Sequence, residues 1–216
     1  MDRQKKIEFQ GIMLTIFIVS FVIIVFSNPQ LSRLFVYNRQ AILNGELWRL
    51  LTAPLVHFSA SHIFWDILVF GIAGFAIQMS GFPCFWIVCG FTTFIPGLIF
   101  LVAFPDLEYY GGLSGLATGA VAYFCLCRLF GKRKGRLIWL FILVFMAIKI
   151  FVEAAMNEPI FARTDSIPFR VLPSVHIVGY LGALAAIMWT WLSNSPYSIK
   201  KQKENVSCGC KAVFKQ

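Results

Sequence analysis

The chain has 216 residues, 58% of them hydrophobic and only 13% charged, whereas a soluble domain of this size spends roughly a quarter of its residues on charge. Long blocks without acid or base, at residues 12–26, 67–102 and 137–148, exclude a small soluble fold, because in lipid their backbone groups are satisfied only as helices. The net charge of +9 gathers in Lys132, Arg133, Lys134 and Arg136 and in Lys200, Lys201, Lys203, Lys211 and Lys215, a placement that suits cytoplasmic segments beside an anionic leaflet and not a nucleic-acid interface.

The first apolar run, residues 10–27, follows Arg3, Lys5 and Lys6 like the core of a signal peptide. No small-x-small cleavage site comes after it, and apolar runs continue to Leu192, so it is predicted to be a retained anchor. The connection from Ser27 to His57 mixes charges with leucines and aromatics and is expected to lie partly in the membrane interface. Trp48 would sit there at headgroup depth, with Arg49 reaching a phosphate or a loop carbonyl.

Five more spans are predicted at residues 58–79, 82–104, 113–130, 137–157 and 173–192. Six spans put both termini on one side. With that side cytoplasmic, the basic clusters lie inside and the connection carrying Asp106 and Glu108 lies outside. The expectation is one all-α membrane domain over residues 1–216, with its core at about 10–192 and a basic cytoplasmic tail at 193–216. The six cysteines form neither a disulfide framework nor a convincing metal motif, Cys208 and Cys210 being a lone CxC.

An ionisable side chain in hydrocarbon is costly, so each one is a candidate for function. His57 and His62 stand at the start of the second span with Asp66 one turn inward, Ser114 at the start of the fourth, Lys149 and Glu153 in the fifth, and His176 at the start of the sixth. Spans two, four and six all begin on the outer side in this topology, which brings His62, Ser114 and His176 to similar shallow depth.

Ser114 follows Gly111, Gly112 and Leu113 and precedes Gly115. A glycine-rich turn into a helix exposes N–H groups that can stabilise the oxyanion of a tetrahedral intermediate, and it leaves a serine accessible as nucleophile. Glycine and serine are also common at membrane helix contacts, which is the plainer reading of the motif. Below Ser114 run Gly115, Gly119 and Ala122, and below His176 run Gly179, Ala183 and Ala186. Two such stripes permit close backbones and would carry the His176 ring within hydrogen-bond reach of Ser114 as general base.

No carboxylate is evidently placed to orient His176, which suggests a serine–histidine dyad. His62 and Asp66, at i and i+4, suit a cavity wall, with His62 and the Gly112 turn supporting the oxyanion and Asp66 beside them; Asp66 as orienter of the dyad stays open. Lys149 and Glu153 are read as an ion pair, or Glu153 as a tether or substrate contact. His57 is either a loop-packing residue or part of the site.

These residues carry a resemblance to the rhomboid family of intramembrane serine proteases. Gly45-Glu46-Leu47-Trp48-Arg49 resembles the family's first-loop motif, and His57, His62 and Asp66 resemble its second-span pattern. Gly112-Leu113-Ser114-Gly115 resembles its GxSG nucleophile motif, and His176 with Gly179 resembles its last-helix motif. The resemblance covers about residues 40–190 and implies a six-helix fold, and the sequence itself gives no cofactor and no metal. In it Ser114 attacks, His176 serves as base and then acid, and His62 with the residue at 66 holds the oxyanion.

The family usually has asparagine where this chain has Asp66, and an ionised aspartate cannot donate to an oxyanion. Residues 108–115, Lys149 with Glu153, and Val175-His176 look like the rhombosortase branch. That branch is associated with removing C-terminal anchors that begin at Gly-Gly, followed by a hydrophobic helix and a basic tail, from proteins bound for the bacterial surface. The resemblance therefore implies transmembrane protein substrates and a bacterial inner membrane.

The alternative is a catalytically inactive rhomboid-like protein that binds transmembrane helices for trafficking or quality control, to which the joint presence of Ser114 and His176 is opposed. A transporter would carry polar residues through the full bilayer depth. A zinc hydrolase built on His57, His62, Asp66 and His176 would lack the HExxH motif.

Overall fold

A computed structural model of the chain describes residues 3–131, 135–156 and 172–192. The predicted basic tail with Cys208 and Cys210, most of the basic connection before Arg136, and the connection before the last span lie outside the described residues. Helix α1 (Arg3–Ser27) ends at Asn28, whose side chain accepts hydrogen bonds from the backbone N–H groups of Gln30 and Leu31 and so starts α2 (Pro29–Phe35), with proline at its first turn. The chain bends there by 111°. The first loop continues through strand β1 (Tyr37–Asn38), α3 (Arg39–Leu43), α4 (Arg49–Thr52) and a 3-10 turn at Ala53–Leu55. Four long helices and one shorter one follow: α5 (Ala60–Met79), α6 (Phe85–Ala103), α7 (Ser114–Phe130), α8 (Arg136–Met156) and α9 (Pro173–Leu192).

All six predicted segments are helical. Helices α5, α6, α8 and α9 are long and apolar enough to cross a membrane singly, and α1 with α2 qualifies as one bent span. Helix α7 has 17 residues, about 25 Å of helix against a hydrocarbon core of about 30 Å. It need not match the bilayer, because it is the central helix, packed against α5, α6, α8 and α9.

The main core lies between α5, α6, α7 and α9 around Phe70, Ile77, Phe85, Val88, Leu113 and Tyr123. Phe17, Ile72, Trp86, Phe141, Phe151 and Leu192 stand outward and exposed, an apolar surface far larger than water tolerates and suited to lipid. Helix α8 buries only Ile150 and Glu153.

The two stripes of small residues meet. A Cβ on Gly179 would stand 2.7 Å from the Gly115 carbonyl oxygen and 2.9 Å from the Gly119 nitrogen. Only a hydrogen side chain lets α7 and α9 approach so closely.

One short ladder was not foreseen in the sequence. Strand β1 pairs antiparallel with β2 (Tyr109–Tyr110), Tyr37 opposite Tyr110 and Asn38 opposite Tyr109. A second cluster packs beneath it, with Tyr37, Leu50, Phe100, Tyr110 and Val175. The ladder ties the first loop to the segment that leads into α7. Arg49 fixes the loop from inside: it is buried, pairs with Glu46 at 2.7 Å, and donates to the carbonyls of Arg33 at 2.8 Å and Val36 at 2.9 Å. Trp48 is exposed and donates its indole N–H to the Leu34 carbonyl at 3.2 Å.

Candidate active site

Ser114 owes its position to the three residues before it. The Gly112 N–H donates to the Ala53 carbonyl at 3.3 Å, and the Leu113 N–H points at His57 Nε2 at 3.3 Å. Gly112 has φ +131°, and a Cβ there would lie 2.7 Å from His62 Cε1 and 2.8 Å from His62 Nε2. Glycine at 112 thus serves two ends: it makes the turn, and it lets the His62 ring press against the backbone. Leu113, fully buried, plugs the top of α7. Ser114 is then the first helical residue, partly exposed, and its N–H belongs to the helix turn that has no partner within the helix.

From α5, capped by Ser59, come His62 and Asp66 on one face. Asp66 Oδ2 lies 3.1 Å from His57 Nε2 and 3.3 Å from His62 Nε2, and all three side chains are buried. A buried carboxylate without donors is costly, so the contacts of Asp66 are best satisfied by both rings donating their Nε2–H to it. Burial pushes the His57 imidazole below its usual range, and the Asp66 carboxylate pulls against that shift. Burial likewise raises the Tyr110 phenol, helped by the charge of Asp66.

His57, His62 and Asp66 offer ligand atoms within 4.8 Å of one another, the donor types of a metal site. The Leu113 N–H aimed into this cluster brings in the positive end of a peptide dipole, which favours a hydrogen-bonded carboxylate over a cation.

Opposite them, α9 carries His176. Its Nδ1 lies 2.8 Å from Thr118 Oγ1, one turn below Ser114 on α7. Its Nε2 stands 3.9 Å from Glu153 Oε2, and the same oxygen is 2.8 Å from Lys149 Nζ. The hydrogen bond of the His176 ring is thus with Thr118 and not with Ser114, although both residues face the same space. The sequence offered no carboxylate for this histidine, and the structure brings Glu153 beside it. Thr118 escaped the sequence reading altogether; its spacing of four from Ser114, on the face turned to His176, was the available signal.

A cavity of about 400 Å³ joins the two sides. Ser114, His62, Asp66, Thr118, Lys149, Glu153 and His176 line it, with Val69, Val121, Ile142, Phe145, Met146 and Ile150 as apolar wall. Trp48, Arg49 and His57 do not line it, the first two serving the loop and His57 standing behind Asp66. Such an arrangement holds a hydroxyl, an imidazole and a polar cluster around an apolar slot at the end of a helix N-terminus, which suits acyl transfer on an extended apolar chain.

Cys84, Cys89, Cys125 and Cys127 are free thiols away from this lining.

Among known families, the model of the Rhomboid domain matches residues 44–193. Comparison with curated proteins gives no match.

Proposed function

The chain belongs to the rhomboid family of intramembrane serine proteases, its match covering most of the sequence, and on that premise we propose that Ser114 and His176 are its catalytic dyad. Ser114 Oγ attacks the carbonyl carbon of the scissile peptide bond while His176 takes the hydroxyl proton. The carbonyl oxygen becomes the oxyanion, met by the Ser114 N–H, while Asp66 accepts the Nε2–H of His62 and holds that ring beside the site. His176 then gives its proton to the leaving amine as the C–N bond breaks. Water, deprotonated by the same ring, releases the acyl group and restores Ser114.

The observation that carries this reading is the shared cavity, to which α5, α7 and α9 contribute His62, Asp66, Ser114 and His176. A hydrogen bond between His176 and Thr118 in place of Ser114 does not count against it, since catalytic hydrogen bonds often tighten only in the substrate complex.

The substrate we propose is a C-terminal membrane anchor that begins at Gly-Gly and continues into a hydrophobic helix and a basic tail, as in the rhombosortase branch. Glycines unwind a helix at little cost and pass between narrow walls. We further propose six spans in one domain, with both termini and the basic tail on the cytoplasmic side of a bacterial inner membrane. The positive charges of residues 132–136 and 200–215 support that orientation.

The test is covalent labelling of the purified protein with a fluorophosphonate, which reacts only with an activated serine. Labelling should vanish in Ser114→Ala, falling by more than about 10³-fold, and in His176→Ala, with the thermal unfolding of both variants unchanged. Labelling that persists in Ser114→Ala overturns the assignment. A wild type that neither labels nor cleaves a Gly-Gly anchor reporter favours the inactive helix-binding alternative.

A further inference from the structure

The two nitrogens of His176 are met by two different helices. Nδ1 faces the Thr118 hydroxyl of α7 at 2.8 Å, and Nε2 faces the Glu153 carboxylate of α8 at 3.9 Å. We propose that Thr118 and Glu153 are positioning residues for His176, Thr118 selecting which nitrogen is the base and Glu153 stabilising the charge that the base acquires. The inference rests on the protease reading above.

A neutral imidazole carries one N–H, and a general base needs its lone pair on the nitrogen that meets the nucleophile. Thr118 is buried with its Oγ1 2.8 Å from Nδ1, and in the proposed tautomer it accepts the Nδ1–H. Nε2 is thereby left with its lone pair, on a ring that lines the same cavity as Ser114. In this arrangement a neutral hydroxyl does what an aspartate does in a triad, namely holding tautomer and ring angle together.

Glu153 acts differently. At 3.9 Å its oxygen is beyond hydrogen-bond range, so it leaves the Nε2 lone pair available. When Nε2 takes the serine proton, a positive charge forms beside a carboxylate that is 2% exposed, where the low dielectric makes the attraction strong.

Lys149 shares this carboxylate: its ammonium lies 2.8 Å from the same oxygen, an i,i+4 pair within α8. The pair that looks self-sufficient in the sequence points its negative end at His176. The other ionisable groups around the ring are His62 and Asp66 of α5, which share the cavity.

The test uses the rate of fluorophosphonate labelling of Ser114 in the full-length, detergent-solubilised protein, resolved into maximal inactivation rate and reagent affinity. Thr118→Val keeps the shape and loses the hydroxyl; its maximal rate should fall by about 10- to 100-fold, the range for losing a group that orients a ligand. Thr118→Ser should stay within about threefold of wild type, and reagent affinity should hold in both.

Glu153→Gln is measured beside Lys149→Met and in the double variant. If Glu153 serves only Lys149, adding Glu153→Gln to Lys149→Met is neutral. If it serves His176, the double variant labels about tenfold more slowly than Lys149→Met alone.

A maximal rate for Thr118→Val near wild type overturns the role of Thr118, and neutrality of Glu153→Gln in the Lys149→Met background overturns that of Glu153. Should Thr118→Val fail to fold, the Glu153 series decides alone. Wild-type protein that never labels, or labelling that survives Ser114→Ala, refutes the protease reading instead, so the two failures are distinct.

Discussion

The backbone of Gly112 and the ring of His62 occupy adjoining space with no room for a methyl group between them: a Cβ at 112 would lie 2.7 Å from His62 Cε1. Gly112→Ala therefore meets two penalties, a φ of +131° that L-residues rarely adopt and a collision with the ring. Strain of this kind costs about 1–3 kcal/mol. We expect the variant to fold with a lowered melting temperature and to lose more than about tenfold in fluorophosphonate labelling as His62 is displaced. Wild-type labelling in Gly112→Ala would mean that the His62 position is unimportant.

Both rings meet the same oxygen of Asp66, Oδ2, so Asp66→Asn can keep an acceptor there but removes the negative charge that holds them. The expected outcome is a loss of about 10- to 100-fold in cleavage rate. The family's usual asparagine at this position makes the opposite outcome informative: a rate equal to or above wild type at neutral pH would show that the carboxylate repels the oxyanion and is not a support for His62.

His57 contributes a pH dependence to stability. Burial lowers its folded-state pKa against the competing pull of Asp66, so the unfolded chain binds its proton first as pH falls. The contribution of a neutral His57 is complete above about pH 6.5 and is lost on acidification through the folded pKa. Thermal unfolding in detergent should show the wild type losing stability from neutral to mildly acid pH, and His57→Gln, which cannot titrate, losing less over the same interval. Parallel pH curves for the two proteins would remove His57 from the account.

Orientation is checked by single cysteines in a cysteine-free background. A cysteine at position 133 should react with an impermeant thiol reagent only from the cytoplasmic side, and one at position 106 only from the outer side. The reverse pattern would invert the proposed topology.

The helices were legible because hydrocarbon allows the backbone few alternatives. Five of the six segments were placed within a few residues, and the bend after Ser27 has its signal in Asn28-Pro29. The approach of α7 to α9 was legible too, since Gly115, Gly119 and Gly179 can serve little else at that spacing.

What did not show was the register between helices. The 3.1 Å contact of His57 with Asp66 spans a loop and a helix, and Glu153 reaches His176 across α8 and α9. No periodicity within one segment contains that information. Arg49 stood between phosphate and loop carbonyl in the sequence, and it meets carbonyls because α2 ends beside it. Thr118 was overlooked because a threonine in a small-residue stripe looks like packing.

The two-rung ladder between Tyr37–Asn38 and Tyr109–Tyr110 makes these distant stretches a single unit of exchange. A chimera that imports the first loop from a relative without the 104–113 segment would bring together backbone groups shaped for other partners, and the mismatch would surface at Ser114, four residues beyond the ladder. Grafts that move both stretches together should keep Ser114 in place. Recombination boundaries that respect the ladder are therefore the ones along which this scaffold can be retargeted to new transmembrane substrates.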